Sequence, residues 1–174
     1  MINATDYTVC DYAAFLNRKN QFVGGDGFEP LWMPDFLFYF QRHLVEWSLR
    51  RGAAAIWAGC GLGKTPMALT WAYNVFRKTG KPVLIVTPLA VAGQFVREGE
   101  KFGIDVEHSR DGKFSGPIVT CNYERLHYFD PVDFGGAVLD EAQGIRQFDG
   151  KRRKQIVRFF SKFRYRLLDT ATPL

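Results

Sequence analysis

Glycine takes every second position from Gly59 to Gly63, and a lysine and a hydroxyl follow at once as Lys64 and Thr65. Such a run can wrap phosphate oxygens in successive backbone N–H groups, because glycines let the chain approach an anion closely. A helix that opens there adds positive partial charge at its first turn. Gly59, Cys60, Gly61, Leu62, Gly63 and Pro66 are then the loop positions around a nucleotide. Lys64 reaches the β- and γ-phosphates, and the Thr65 hydroxyl ligates Mg²⁺. The run departs from the usual pattern in three ways. Ala58 stands where a first glycine is expected, Cys60 is an unusual and oxidisable occupant, and Pro66 lacks the N–H that many such loops aim at the α-phosphate.

A second constellation is Asp140-Glu141, directly after the apolar Ala137-Val138-Leu139. Two adjacent carboxylates at a strand end divide two tasks. Asp140 holds Mg²⁺ through the metal's water shell, and Glu141 polarises an attacking water as general base. Alone, such a pair is most often a solvated loop. Downstream of a phosphate loop it reads as the second half of a nucleoside-triphosphate site. Thr170-Ala171-Thr172-Pro173 alone says only that a strand meets a proline turn.

The elements that must position these residues follow from pattern. Residues 11–19 read as a short helix and the glycine-rich 20–30 as a loop. A longer helix is expected from Pro34, with Leu37, Phe40, Leu44 and Trp47 as its buried stripe. Strands are expected at 53–57, 83–86, 118–121, 137–139 and 165–168. Helices are expected at 65–78, stopped by Gly80, at 91–102, and at 151–163 with Ile156, Phe159, Phe160 and Phe163 inward. Residues 105–116 read as a polar loop. Short apolar strands alternating with helices make βαβ units, a three-layer α/β fold around a mostly parallel sheet. Right-handed crossovers bring the strand ends, and the site, to one edge.

Composition bounds the function classes. The 174 residues suffice for one domain with a core, and 47% of them are apolar. The longest apolar stretch, 53–62, is far short of a bilayer span, and the acidic N-terminus carries no secretory pattern, so a soluble intracellular protein with no membrane partner is expected. Cys10, Cys60 and Cys121 are odd in number and far apart, which is neither a disulfide framework nor a zinc site. The net charge is +5, and eight basic residues with no acidic one fall between Lys151 and Arg166. That run is either a phosphate-contacting surface or a solvated helix face.

In order along the chain stand Gly61-Leu62-Gly63-Lys64-Thr65, Val86-Thr87-Pro88-Leu89, Asn122-Tyr123-Glu124-Arg125-Leu126, Leu139-Asp140-Glu141-Ala142-Gln143 and Thr170-Ala171-Thr172-Pro173. The series resembles motifs I, Ia, Ib, II and III of superfamily 2 helicases, closest to the Swi/Snf-type DNA translocases of bacteriophages and prophages. The resemblance covers residues 11–174. It implies a RecA-type first lobe at 34–174 behind an extension at 1–33, with ATP and Mg²⁺ bound and ATP hydrolysis coupled to movement on DNA, duplex or single-stranded. It implies a bacterial or phage-infected cytoplasm. Leu37-Phe38-Tyr39-Phe40-Gln41 resembles the family's Q motif, which implies that Gln41 reads adenine, and a carboxamide can do so bidentately. Phe28 and Trp32 are candidates to stack on the base. Nucleic-acid contacts are implied for Thr87, Pro88, Leu89, Asn122 and Tyr123, and coupling of the ATP state for Gln143, Thr170 and Thr172. Gln143 stands where His or Ser is common.

The resemblance also implies a second RecA-type lobe, in cis or trans, that supplies arginine fingers. Another sheet needs on the order of 100 residues, and none follow Leu174, so these residues alone are expected to hydrolyse ATP very slowly. Two other readings stand beside this one. One is a non-catalytic nucleotide- or DNA-binding module. The other is an RNA helicase lobe, against which the Asn122–Leu126 segment weighs by its likeness to the DNA-directed group.

Overall fold

The computed structural model describes residues 25–142 and 148–171. The expected helix at 11–19, Gln143 and Thr172 lie outside them. Helix α1 spans Tyr39–Arg51, five residues later than Pro34 suggests. Its start is fixed by Gln41, whose Oε1 accepts the Phe38 N–H at 2.9 Å, half of a capping box. Half of the expected stripe holds, since Leu37 is buried and Leu44 packs against the core. Gln41, Val45, Ser48 and Leu49 are buried, while Phe40 and Trp47 stay largely exposed. Two polar residues sit on the inner face because both are satisfied there, Ser48 Oγ by the Val45 carbonyl at 2.8 Å. Gly52 ends the helix in a positive-φ conformation, donating to the Ser48 and Leu49 carbonyls.

The other elements fall close to expectation. They are β1 Ala53–Trp57, α2 Lys64–Thr79, β2 Val83–Thr87, α3 Leu89–Phe102, β3 Val106–His108, β4 Ile118–Asn122, β5 Gly136–Asp140, α4 Gly150–Phe160 and β6 Tyr165–Thr170. Two short 3₁₀ turns, Tyr123–Tyr128 and Pro131–Asp133, join β4 to β5. Strand β3 corrects the reading of 105–116 as loop. It is a three-residue edge strand, parallel to β4 with Val106 opposite Ile118, and too short and polar to show a strand pattern.

The six strands form one all-parallel sheet in the order β1-β6-β5-β2-β4-β3. Both faces are covered, so alternate residues of one strand enter two cores. Val83 and Ile85 join the core under α1–α3 with Met67, Trp71 and Phe95. Leu84 and Val86 join the core under α4 with Ile156, Phe159 and Phe160. Each fully buried side chain of this size contributes about 1.5–3 kcal/mol. Residues 25–33 pack on this body too. Phe28 donates its N–H to the Leu49 carbonyl at 3.0 Å, and Asn74 Oδ1 accepts the N–H groups of Leu31 and Trp32. No helix among the described residues is long and apolar enough to cross a membrane.

Candidate nucleotide site

The C-terminal ends of β1, β6, β5, β2 and β4 make one edge, and the chemistry gathers there. After β1 the chain turns through Gly61 and Gly63, whose φ values of 81° and 74° belong to the left-handed region that glycine enters without penalty. Lys64 is the first residue of α2, and Gly63 its cap. Pro66 is third in that helix, where no backbone N–H is needed for helix bonding. The Lys64 ammonium donates to the Ala58 carbonyl at 3.2 Å and lies 3.8 Å from Glu141 Oε1. Gln94 Nε2, from α3, lies 3.5 Å from Thr65 Oγ1.

Asp140 ends β5 and is buried. Its Oδ2 accepts the Thr87 hydroxyl at 2.6 Å. Burial pushes its carboxyl above the usual range, and the Thr87 bond pulls the other way. Glu141 follows with φ of 52°. A non-glycine residue there costs roughly 1–3 kcal/mol and persists only when its surroundings hold it. Tyr123 OH donates to the Asp140 carbonyl and lies 3.2 Å from the Glu141 carbonyl.

A cleft of about 760 Å³ is lined by Cys60–Pro66, Asp140, Glu141, Gln41 and residues of α3. It thus brings together the two constellations that lie some eighty positions apart in sequence. That size suits a nucleotide. Thr65 and Asp140 both line it, a hydroxyl and a carboxylate that suit Mg²⁺. Among the described residues no group of three or more His, Cys, Asp or Glu could hold a metal.

Several of the residues expected to meet a ligand are held by the protein itself. Thr87, Asn122 and Tyr123 were expected on nucleic acid, yet all three are buried. Thr87 and Tyr123 turn their hydroxyls to Asp140 and Glu141, and Asn122 Nδ2 donates to Glu124 Oε2 at 2.7 Å. Of that set Leu89 is exposed, at 60%, and Pro88 is partly so. Gln41 has both ends of its carboxamide engaged by the protein, since Nε2 donates to the Leu62 carbonyl at 3.0 Å while Oε1 accepts from Phe38. It braces the phosphate loop, and a Cβ on Gly63 would collide with it.

Phe28 and Trp32 serve the core, Phe28 edge-on to Tyr165 and Trp32 edge-on to Tyr73. Phe36, Phe38 and Phe40 line the cleft instead, and Phe36 stacks on Phe102 of α3 at 4.0 Å. The alternating aromatic run just before Gln41 was their signal. Thr170 is buried at the end of β6. Beside it Asp169, which sequence reasoning passed over, lies opposite Asp140 in the sheet, and among the described residues neither carboxylate oxygen makes a well-formed hydrogen bond.

Solved structures share this architecture. A SWI2/SNF2 ATPase core of Sulfolobus solfataricus in complex with dsDNA matches with a TM-score of 0.68 at 23% identity, over 84% of this chain and 34% of that one. The SWI2/SNF2 ATPase core domain of the same organism matches with 0.70 at 22%, over 86% and 34%. The UvsW helicase of bacteriophage T4 matches with 0.69 at 12%, over 98% and 75%. The fold of this chain is the one seen in these ATPase cores and in that helicase. The lobe spans about a third of the length of the two SWI2/SNF2 chains. No protein-family model and no curated protein matches its sequence.

Proposed function

We propose that this lobe binds Mg-ATP and serves as the first half of an ATP-dependent DNA translocase or helicase. The observation that carries the reading is the convergence of Lys64, Thr65, Asp140 and Glu141 on one cleft at the sheet edge. A nucleotide's phosphates fit against the loop amides and the first turn of α2. Lys64 neutralises charge on the β- and γ-phosphates, and its contact with Glu141 keeps it in the cleft meanwhile. Thr65 and Asp140 would hold Mg²⁺, which supplies charge neutralisation across the phosphates. Thr87 holds the Asp140 carboxylate in place for that task. Glu141 orients and deprotonates the attacking water.

Replacing Lys64 with alanine is expected to abolish Mg-ATP binding while circular dichroism and melting stay those of the parent. The ammonium touches the Ala58 carbonyl and Glu141, and belongs to neither core. Calorimetry giving equal affinity for both proteins would remove the phosphate-loop assignment.

DNA is the proposed track. The exposed Leu89 opens α3 with no side-chain cap on its amides, and the N-terminus of α4 stands beside the Tyr123–Tyr128 turn, where Lys151, Arg152, Tyr123 and His127 share a polar hollow. Lys151, Arg153, Lys154, Arg158 and Lys162 are exposed, whereas Arg152 pairs with Glu124 at 3.6 Å and Arg164 and Arg166 bond backbone carbonyls. Reversing the charge of Lys151, Arg153 and Lys154 together should weaken DNA binding equally for unrelated sequences. The slope of log affinity against log salt should fall by about 0.9 for each duplex phosphate that is no longer neutralised. Affinity left untouched would make the run a solvated face. One substrate-bound lobe in a cytoplasmic bacterial or phage-infected setting, working with a second RecA-type lobe, completes the proposal.

A further inference from the structure

One hydroxyl meets the backbone on both sides of Glu141. Tyr123 OH donates to the carbonyl of Asp140 and lies within bonding distance, 3.2 Å, of the carbonyl of Glu141 itself. Those two carbonyls belong to the peptide planes before and after the Glu141 Cα. Fixing both planes fixes φ and ψ of that residue together. Glu141 needs such a hold, because its φ of 52° lies where side-chain-bearing residues rarely stay. We propose that Tyr123 is the positioning residue of the hydrolytic site, clamping the turn at Glu141 so that its carboxylate points into the cleft. The inference rests on the ATP-hydrolysing reading above.

The clamp is itself held. Tyr123 is 6% exposed and its ring packs on Phe148 with centroids 5.4 Å apart. Burial, then the nearby Asp140 and Glu141 charges, push its phenol well above the usual value, so it keeps the proton that it donates. Its backbone opens the 3₁₀ turn after β4, and the next residue, Glu124, bonds Asn122 and pairs with Arg152 at 3.6 Å. A DNA backbone pressing on that turn or on the start of α4 therefore acts on the same residue that aims the water-activating carboxylate.

Tyr123→Phe keeps the ring and removes the hydroxyl. In DNA-stimulated phosphate release by the full chain supplied with a second RecA-type lobe, with Glu141→Gln run in parallel, kcat is expected to fall by about 10–100-fold, a fraction of what a general base contributes. KM for ATP should stay within about twofold, because no phosphate-binding group is touched. In the free protein, hydrogen exchange across residues 140–142 should quicken by about tenfold while β2 and β4 exchange as before. Unchanged exchange overturns the clamp. A parental kcat in Tyr123→Phe, alongside a dead Glu141→Gln, overturns its role in positioning. If Glu141→Gln itself turns over normally, the hydrolytic reading fails, and the exchange measurement still decides the clamp.

Discussion

Supplying a second RecA-type lobe, in trans or as a fusion, is expected to raise ATP turnover by this chain by about 10³–10⁵-fold, the contribution of an arginine finger. The cleft explains the size of the step. Lys64 and Lys101 are the cations on its wall among the described residues, and no arginine lines it. On the proposed reading, charge that develops on a transferring phosphoryl group would be met by these lysines and by the Mg²⁺ that Thr65 and Asp140 would hold, with no arginine beside them. The basic run cannot reach it, because α4 packs its Ile156, Phe159 and Phe160 on the opposite face of the sheet from α2. DNA-stimulated phosphate release from the purified 174 residues, alone and with the added lobe, measures the difference. Robust turnover by the chain alone, abolished by Glu141→Gln, would refute the argument and point to a neighbouring copy as the source of the finger.

The second large effect is on stability and comes from Asp169. Its side chain is 1% exposed, and among the described residues neither oxygen makes a well-formed hydrogen bond. Burial, then the neighbouring Asp140 and Glu141 charges, push its pKa up to about 7, against the pull of Lys64. The sign follows from proton counting. Between the unfolded value of 3.8 and about 7 the folded chain binds more protons than the unfolded one. Stability therefore falls as pH rises through that window. Above it, ionised Asp169 costs on the order of 4 kcal/mol relative to a neutral residue in the same place. Asp169→Asn should consequently be more stable than the parent at pH 8 and close to it near pH 4. Urea midpoints in metal-free buffer at the two pH values test this, and parallel pH slopes for parent and variant would count against it.

Much of the fold was legible because its strands are apolar runs bounded by glycine and proline, and a parallel sheet covered on both faces needs no alternation. Where reading failed, a physical cause is visible. The α1 stripe was right at Leu37 and Leu44 and wrong at Phe40 and Trp47, because apolar counting ignores Gln41 and Ser48, which are buried at little cost once their hydrogen bonds are made within the helix and its neighbours. Strand β3 escaped because three residues with Glu107 and His108 among them carry no periodicity. The phosphate loop and the acidic pair were legible as motifs, since their chemistry demands fixed residue types at fixed spacing. Tyr123 and Asp169 were not legible as partners of that pair. Tyr123 acts on it through backbone carbonyls, and Asp169 meets it through sheet register, neither of which leaves a mark in the local sequence.

The inward turn of Thr87, Asn122 and Tyr123 has a consequence for genetics. A change at Thr87 or Tyr123 removes a direct support of the acidic pair, so a loss of DNA-dependent activity there would be no evidence of contact with DNA. Nucleotide and nucleic-acid phenotypes will travel together at these positions. Alleles that separate them belong on the outer surface of the same edge, at Leu89, Lys151 and Arg153, where a side chain can be changed without moving the hydrolytic groups behind it.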